Sequence, residues 1–359
     1  MKIFFESSVL NKEFQGTRTY VKEILLELSK KDNLIIYLGV KSKKNLPSAI
    51  LNSKKLRIHK YFFQNKFLQL NLEIPYLLFS KGIKHAVFQY VSPFYKMPTC
   101  NYYPVIHDVL FLDYPNYFSR SYSNIRKILF RISAILSKKV FTVSQYSKTK
   151  ISNHFNLEKN KIVVTPNGIK NNYKQFNYDK KYSSDYIFKN YGVRNYALYV
   201  SRIEPRKNQD FLLKYKNLIP QRNLVFIGSL TFDDPELEKK INKYSNVYWF
   251  KDVIENDLAH FYNAANLFIY PSLAEGFGIP PLEAAYFKVP VICSNLTAME
   301  DFEFFNKTLF NPVEEISFKN AINHINNNAK HLNLIQKKVI LKYDWKNTSQ
   351  IIYDSFHNN

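Results

Sequence analysis

Short runs of consecutive apolar residues alternate along this chain with longer stretches in which apolar positions recur every three or four residues. The short runs predict buried strands and the longer stretches amphipathic helices, the βαβ pattern of parallel sheets. In the first half, strands are predicted at residues 3–5, 34–38, 86–90, 103–106, 140–143 and 162–165. Tyr20, Val21, Ile24, Leu25 and Leu28 share one helical face, so the first helix packs on a sheet. A second series of strands is predicted at residues 197–201, 224–227, 247–250, 267–270, 289–292 and 308–310. A polar, tyrosine-rich segment separates the two series. The pattern predicts an α/β protein of two Rossmann-like, doubly wound domains facing across a cleft. Residues 1–175 form the N-terminal domain, 176–194 a connector and 195–342 the C-terminal domain. Residues 343–359 form a closing helix that packs back toward the N-terminal domain.

Length and composition agree with two globular domains: 359 residues, 46% hydrophobic and 22% charged. No apolar run is long enough to span a bilayer, and the start reads as a strand rather than a signal peptide. Cys100 and Cys293 lie far apart without metal-ligand spacing, as expected of a reduced, cytoplasmic protein.

Charge changes the picture more. The net charge is +22, and residues 1–175 hold 29 Lys and Arg against 9 Asp and Glu. An excess confined to one half points to an anionic membrane surface or a nucleic acid. The lysines are scattered through every element and no nucleic-acid module is recognisable, so we expect no nucleic-acid partner. Two stretches are candidate membrane contacts. The first is "KYFFQNKF", where Lys60, Phe62, Phe63 and Lys66 interleave aromatic and basic side chains. The second, "SNIRKILFRISAILSKK", spaces Ile125, Ile128, Leu129, Ile132, Ile135 and Leu136 as one stripe. That stripe fits either a membrane surface or a helix packing on its own sheet.

Candidate chemistry clusters where open parallel sheets bind ligands, beyond the carboxyl ends of strands. "YVSRIEPRKN" places Arg202, Arg206 and Lys207 after a strand; "PVIHDV" does the same for His107 and Asp108. Gly16 follows the first strand. In "YPSLAEGFGIPPLEAAYFKVP", Glu275 and Glu283 flank Gly276, Gly278, Pro280 and Pro281. On one helix, residues eight apart lie about 12 Å apart along the axis and roughly 80° apart around it, so the glutamates are not a close acid/base pair. The glycines suit a tight loop and the prolines a first helical turn. We therefore read a helix starting near Pro280, its N-terminus a seat for phosphate between the two carboxylates. Asn167-Gly168 reads as a turn, since both residues tolerate positive φ. Asp-x-Asp, G-x-G-x-x-G and the P-loop are absent from the sequence.

These motifs resemble those of glycosyltransferase family 4, with its GT-B architecture. "EGFGIPPLEA" matches the family's E-x7-E signature, and "SRIEPRKN", "FTVSQYSKTKI", "KIVVTPNGIK" and "NDLAHFYNAANLFIYPS" resemble its companions in the right order. "IHDVLFLDYPNYFS" is closest to mannosyltransferase-like bacterial members that build lipopolysaccharide O-antigen or capsule. The resemblance implies a retaining, metal-independent hexosyltransferase without a cofactor, using a GDP- or UDP-linked sugar and a saccharide or lipid-linked acceptor. It implies that the N-terminal domain faces the acceptor and the C-terminal domain binds the nucleotide sugar. It places the protein on the inner face of the cytoplasmic membrane. Glu275 would contact the donor sugar and Glu283 the ribose, while Arg202 and Lys207 would hold the diphosphate. The amides of Phe277 and Gly278 would lie close to the sugar, beside Gly276. Gly16 would approach the diphosphate, and His107 the sugar from the opposite domain. The chain departs from the family at Gly16-Thr17-Arg18, where a second glycine is usual, and at Lys288, where glycine is usual. Rival readings are a nucleotide-sugar epimerase, a phosphorylase or an inactive scaffold of the same fold.

Overall fold

The computed structural model describes residues 1–11, 16–221, 223–230 and 235–357. The chain forms two compact units, Met1–Lys170 with Tyr343–Asn359, and Asn171–Lys342. Among the described residues, unit 1 is built on seven parallel strands: β1 Lys2–Glu6, β2 Ile35–Val40, β3 Leu56–Lys60, β4 His85–Gln89, β5 Asn101–Val105, β6 Val140–Thr142 and β7 Ile162–Val164. Their spatial order is β3-β2-β1-β4-β5-β6-β7. Ile3, Phe4 and Phe5 of β1 are fully buried, as a strand covered on both faces requires. The helices used below are α1 Gly16–Leu28, α2 Ile74–Lys81 and α3 Arg120–Leu136 in this unit.

Strand β3 was not predicted. Its sequence, Leu-Arg-Ile-His-Lys, lies at the sheet edge with half its side chains in water, so it carries no apolar run to read.

Among the described residues, unit 2 has six parallel strands: β8 Tyr196–Val200, β9 Asn223–Ile227, β10 Val247–Phe250, β11 Leu267–Tyr270, β12 Val291–Ser294 and β13 Leu309–Phe310. Their order is β10-β9-β8-β11-β12-β13. Residues 176–194 do not stand apart as a connector. They belong to unit 2, where α4 (Lys180–Tyr191) packs on α5 (Glu255–Ala264). Tyr186 and Tyr191 donate hydrogen bonds to Asp257 at 2.9 and 2.5 Å, so the tyrosines that made this segment look like a linker fasten it. The remaining helix used here in unit 2 is α6, Ile279–Tyr286.

The last helix, α7 (Trp345–Ser355), belongs to unit 1. Asp344 caps it by accepting from the Lys346 N–H at 2.6 Å. Trp345 is fully buried and meets Tyr20 of α1 edge-on at 5.9 Å. This explains Gly168. Its φ is not positive, so it is not the expected left-handed turn residue. A Cβ there would lie 2.6 Å from the Trp345 nitrogen; the glycine is needed for close approach.

Candidate active site

In unit 2, two segments at the carboxyl ends of β8 and β11 are laced together. Backbone Leu273 N–H donates to the Arg206 carbonyl at 2.8 Å, and Ser272 Oγ donates to the same oxygen at 3.2 Å. A short helical turn, Pro205–Lys207, ends at Asn208 in the left-handed region (φ 60°). Buried Lys207 forms an ion pair with Oε1 of buried Glu275. The same Oε1 accepts from Tyr270 OH at 2.7 Å and Ser272 Oγ at 2.8 Å. Lys207 Nζ also donates to Tyr270 OH at 3.1 Å. Oε2 accepts from Arg206 Nη1 at 3.3 Å.

Burial alone would raise the Glu275 carboxyl; the Lys207 and Arg206 charges and the Lys207 and Tyr270 hydrogen bonds outweigh it and hold it at about 2. Burial pulls Lys207 below its ordinary value, with Glu275 opposing. Tyr270, raised well above its ordinary value chiefly by burial, stays a donor. The result is a fixed buried carboxylate with its charge matched.

The two predicted basic residues differ. Lys207 is in the cluster, but the Arg202 side chain is half exposed and lies 3.8 Å from Glu204. The arginine beside Glu275 is Arg206, which also pairs with Glu204 at 2.6 Å. Sequence reasoning noted Arg206 but gave it no role, because three basic residues in six positions look alike without the turn at Pro205. Tyr270, Ser272 and Thr297 were missed as well. Thr297 accepts the Glu275 N–H at 2.9 Å while holding φ at 58°, an outlier for a β-branched residue.

The loop between the glutamates ends at Gly278, whose φ of 98° no larger side chain adopts readily. A Cβ there would also press on Met299 at 3.1 Å and Phe302 at 3.2 Å. Phe277 is buried edge-on to Phe302. Helix α6 starts at Ile279, one residue before the expected position. Pro280 and Pro281 then fall in its first turn and remove two N–H groups. The amides left to face an anion are those of Gly278 and Ile279, so the phosphate seat is narrower than a bare helix start. Glu283 is buried in α6 and accepts from Tyr262 OH at 2.9 Å. At the end of α6, Lys288 takes the left-handed conformation (φ 58°) while Val289 N–H bonds the Ala284 carbonyl at 3.1 Å. That is the helix stop glycine normally makes, and the departure costs backbone strain as well as changing a charge.

In unit 1, His107 follows β5 and is buried. Its Nε2 lies 3.4 Å from Gln89 Oε1, and its ring meets Tyr20 at 5.0 Å and Tyr90 at 5.4 Å. Burial pushes the imidazole down to about 4, so it is neutral at pH 7. Tyr90 holds a φ of 68° and reaches Thr17 Oγ1 at 3.2 Å, linking the His107 pocket to the start of α1. Gly16 is the exposed first residue of that helix. Sequence patterns give no signal for Tyr90, because its role depends on an unusual backbone angle.

Among the expected membrane contacts, Lys60 is exposed and Phe62 is 81% exposed. Phe63 is half-buried, its N–H held by Glu73 at 3.1 Å, and Lys66 is paired with Glu6 at 3.0 Å.

The sequence profile of glycosyl transferases group 1 matches residues 186–340, the segment that carries Arg202, Lys207, Glu275 and Glu283. The O-antigen chain mannosyltransferase B of Escherichia coli is 30% identical over 215 residues, covering 54% of this chain and 53% of that protein. The O-antigen chain mannosyltransferase RfbU of Salmonella typhimurium is 29% identical over 255 residues, 69% of this chain and 67% of that protein. The matched stretches thus span about half to two thirds of these relatives' own lengths. HepE of Anabaena, solved in complex with UDP, superimposes with a TM-score of 0.73 at 17% identity, covering 99% of this chain and 100% of that one. That likeness identifies the fold as GT-B, two parallel-sheet Rossmann-like units. Residues 186–340 match the glycosyl transferases group 1 family, and the chain is similar in sequence to O-antigen mannosyltransferases.

Proposed function

We propose that the protein is a retaining hexosyltransferase moving mannose from a nucleoside diphosphate sugar to a lipid-linked saccharide in surface-polysaccharide assembly. The observation that supports this best is the buried Lys207–Glu275 cluster beside the Gly276–Gly278 loop, inside the segment that matches the family. In this reading Glu275 Oε2 and the loop amides hold the sugar, and Glu283 holds the ribose hydroxyls. Lys207, Arg202 and the adjacent Arg206 neutralise the diphosphate as it departs. Cationic side chains can supply that stabilisation without a divalent ion. Neutral His107 serves as a hydrogen-bonding contact for the sugar, and Gly16 lets the backbone approach the diphosphate.

Transfer then proceeds on one face of the sugar. The bond from the anomeric carbon to the diphosphate oxygen breaks as the acceptor oxygen bonds that carbon from the same side. The acceptor's proton passes to the leaving phosphate. A lipid-linked acceptor puts the enzyme on the inner face of the cytoplasmic membrane as a peripheral protein; among the described residues no helix is long and apolar enough to cross a membrane. HepE's UDP makes a uridine nucleotide the first donor to try, with GDP-mannose beside it.

The test offers a pool of UDP- and GDP-sugars with a lipid-linked acceptor fraction and reads products by mass spectrometry. We expect one added hexose, undiminished by EDTA. No added sugar from any donor, or a requirement for added manganese, would count against the reading.

A further inference from the structure

The sheet of unit 1 reverses its direction of winding between β1 and β4. The chain steps outward from β1 to β2 and β3, then returns to lay β4 on the other side of β1. Such a switch point opens a crevice beyond the carboxyl ends of the two strands. In unit 2 the switch point lies between β8 and β11, and the Lys207–Glu275 pair sits there. Unit 1 has its own carboxylate–lysine pair at its switch point, Glu6 with Lys66.

Glu6 is the last residue of β1, and its side chain is only 2% exposed. Lys66, in the connection that leads into α2, reaches Oε1 at 3.0 Å. The Ser8 hydroxyl donates to the same oxygen, as does the Ser8 N–H at 3.3 Å. Three donors therefore crowd Oε1, while no described residue donates to Oε2. A carboxylate has lone pairs for about four hydrogen bonds, and a buried oxygen left without any is costly.

The groups around it have the same unfilled capacity. Glu6 pairs in register with Gly39 of β2, and paired residues of parallel strands point to one face. The Tyr61 hydroxyl fills the space over Gly39, where a Cβ would collide with it. It therefore lies on the Glu6 side of the sheet, buried and without a partner among the described residues. Burial, with the charges of Glu6 and Glu73, lifts this hydroxyl well above its ordinary value, so it stays protonated. Across the switch point, Gln89 ends β4 with its Nε2 buried and unpaired, and Tyr90 follows at a φ of 68°. Unpaired buried polar groups and strained backbone gather where a ligand is held. A phosphate would meet the bare oxygen of Glu6 and be repelled. Sugar hydroxyls donate as well as accept, and they suit this mixture.

We propose that the crevice between β1 and β4 of unit 1 binds the acceptor saccharide, with Glu6 Oε2 accepting from one of its hydroxyls. The inference rests on the glycosyltransferase reading and names the residue that selects the acceptor. The test titrates the full chain, without donor, with octyl glycosides of mannose, glucose, galactose and N-acetylglucosamine, read by saturation-transfer NMR. We expect at least one to bind. Glu6→Gln, which still accepts from Lys66 and Ser8, should weaken that binding about tenfold to a hundredfold. Removing one hydroxyl from the same glycoside should cost the wild type a similar factor and the variant little more, since both changes break one hydrogen bond. Affinity for UDP and GDP by calorimetry, and the melting temperature, should stay level, which a merely structural pair does not predict. Glu6→Asp keeps the charge beside Lys66 but withdraws Oε2, and it should give the same loss and the same coupling if Glu6→Gln melts early. Glycoside affinity unchanged in both variants, no hydroxyl coupled to Glu6, or no glycoside bound at all overturns the proposal. So does nucleotide affinity that falls as far as glycoside affinity. A protein that binds glycosides as described yet transfers no sugar refutes the function above and leaves this site standing. One that transfers sugar with an acceptor KM indifferent to Glu6→Gln keeps the function and removes the site.

Discussion

Replacing Lys207 with Met keeps most of the side chain and removes its charge from the Glu275 cluster. The carboxylate would retain Tyr270 at 2.7 Å, Ser272 at 2.8 Å and only Arg206, at 3.3 Å, as a cation. Breaking a buried pair from one side costs about 3–5 kcal/mol. Arg206 shares the compensation, which moves the expectation toward the lower end. The position of Glu275 gives a similar figure: a carboxyl held at about 2 rather than 4.5 prefers its ionised form by roughly 3 kcal/mol. We therefore expect a loss of about 3 kcal/mol in unit 2, or roughly 6–12 °C in its calorimetric transition. Its pH dependence should change as well. In the wild type, the Glu275 contribution is complete above pH 4.5 and is lost as pH falls toward 2. In the variant, burial lifts the carboxyl back up, so the penalty at pH 7 should shrink on mild acidification. Adding Glu275→Gln should recover part of the loss, with a coupling of at least about 1 kcal/mol. A single variant within 1 kcal/mol of wild type, or a coupling near zero, would show that the pair does not organise the site.

Other predictions are more local. His107, held at about 4 against an ordinary 6.5, contributes stability that is present above pH 6.5 and lost as pH falls toward 4, as does His85. Urea titrations across that window should give a shallower pH slope in His107→Asn, with the His85 part remaining. Lys288→Gly relieves a left-handed backbone and should raise stability by up to about 1 kcal/mol by thermal melting, net of glycine's unfolded-state entropy. Calorimetric titration should find nucleoside diphosphate affinity reduced in Glu283→Gln but nearly kept in Glu275→Gln, whose main loss should be turnover. Equal loss of affinity in both variants would contradict the assignment of the two carboxylates to opposite ends of the donor.

Much of the fold was legible because buried parallel strands write themselves as apolar runs. Leu267–Tyr270 and Val247–Phe250 have the bounds the sequence predicts. The edge strand Leu56–Lys60 was illegible for the converse reason, since a strand half in water has no such run. The tyrosines of residues 176–194 read as polar punctuation, yet their hydroxyls serve Asp257 while their rings pack. At the site, Glu275, Glu283 and Lys207 could be found by motif. Arg206, Tyr270, Ser272, Thr297 and Tyr90 could not, because their roles come from hydrogen bonds across loops or from strained backbone. Periodicity located the stripe on α3 but not its division: Leu129 packs against the core, while Ile125, Ile128 and Ile135 are exposed and Ser133 and Ala134 share the packing face by being small.

The central claim is most directly tested by following a purified reaction by NMR, with the nucleotide sugar alone and then with the acceptor. The account predicts that nucleoside diphosphate appears only when acceptor is present, that the new linkage keeps the donor's anomeric configuration, and that Glu275→Gln suppresses both signals. Donor consumed or epimerised without acceptor, or a product of inverted configuration, would contradict it.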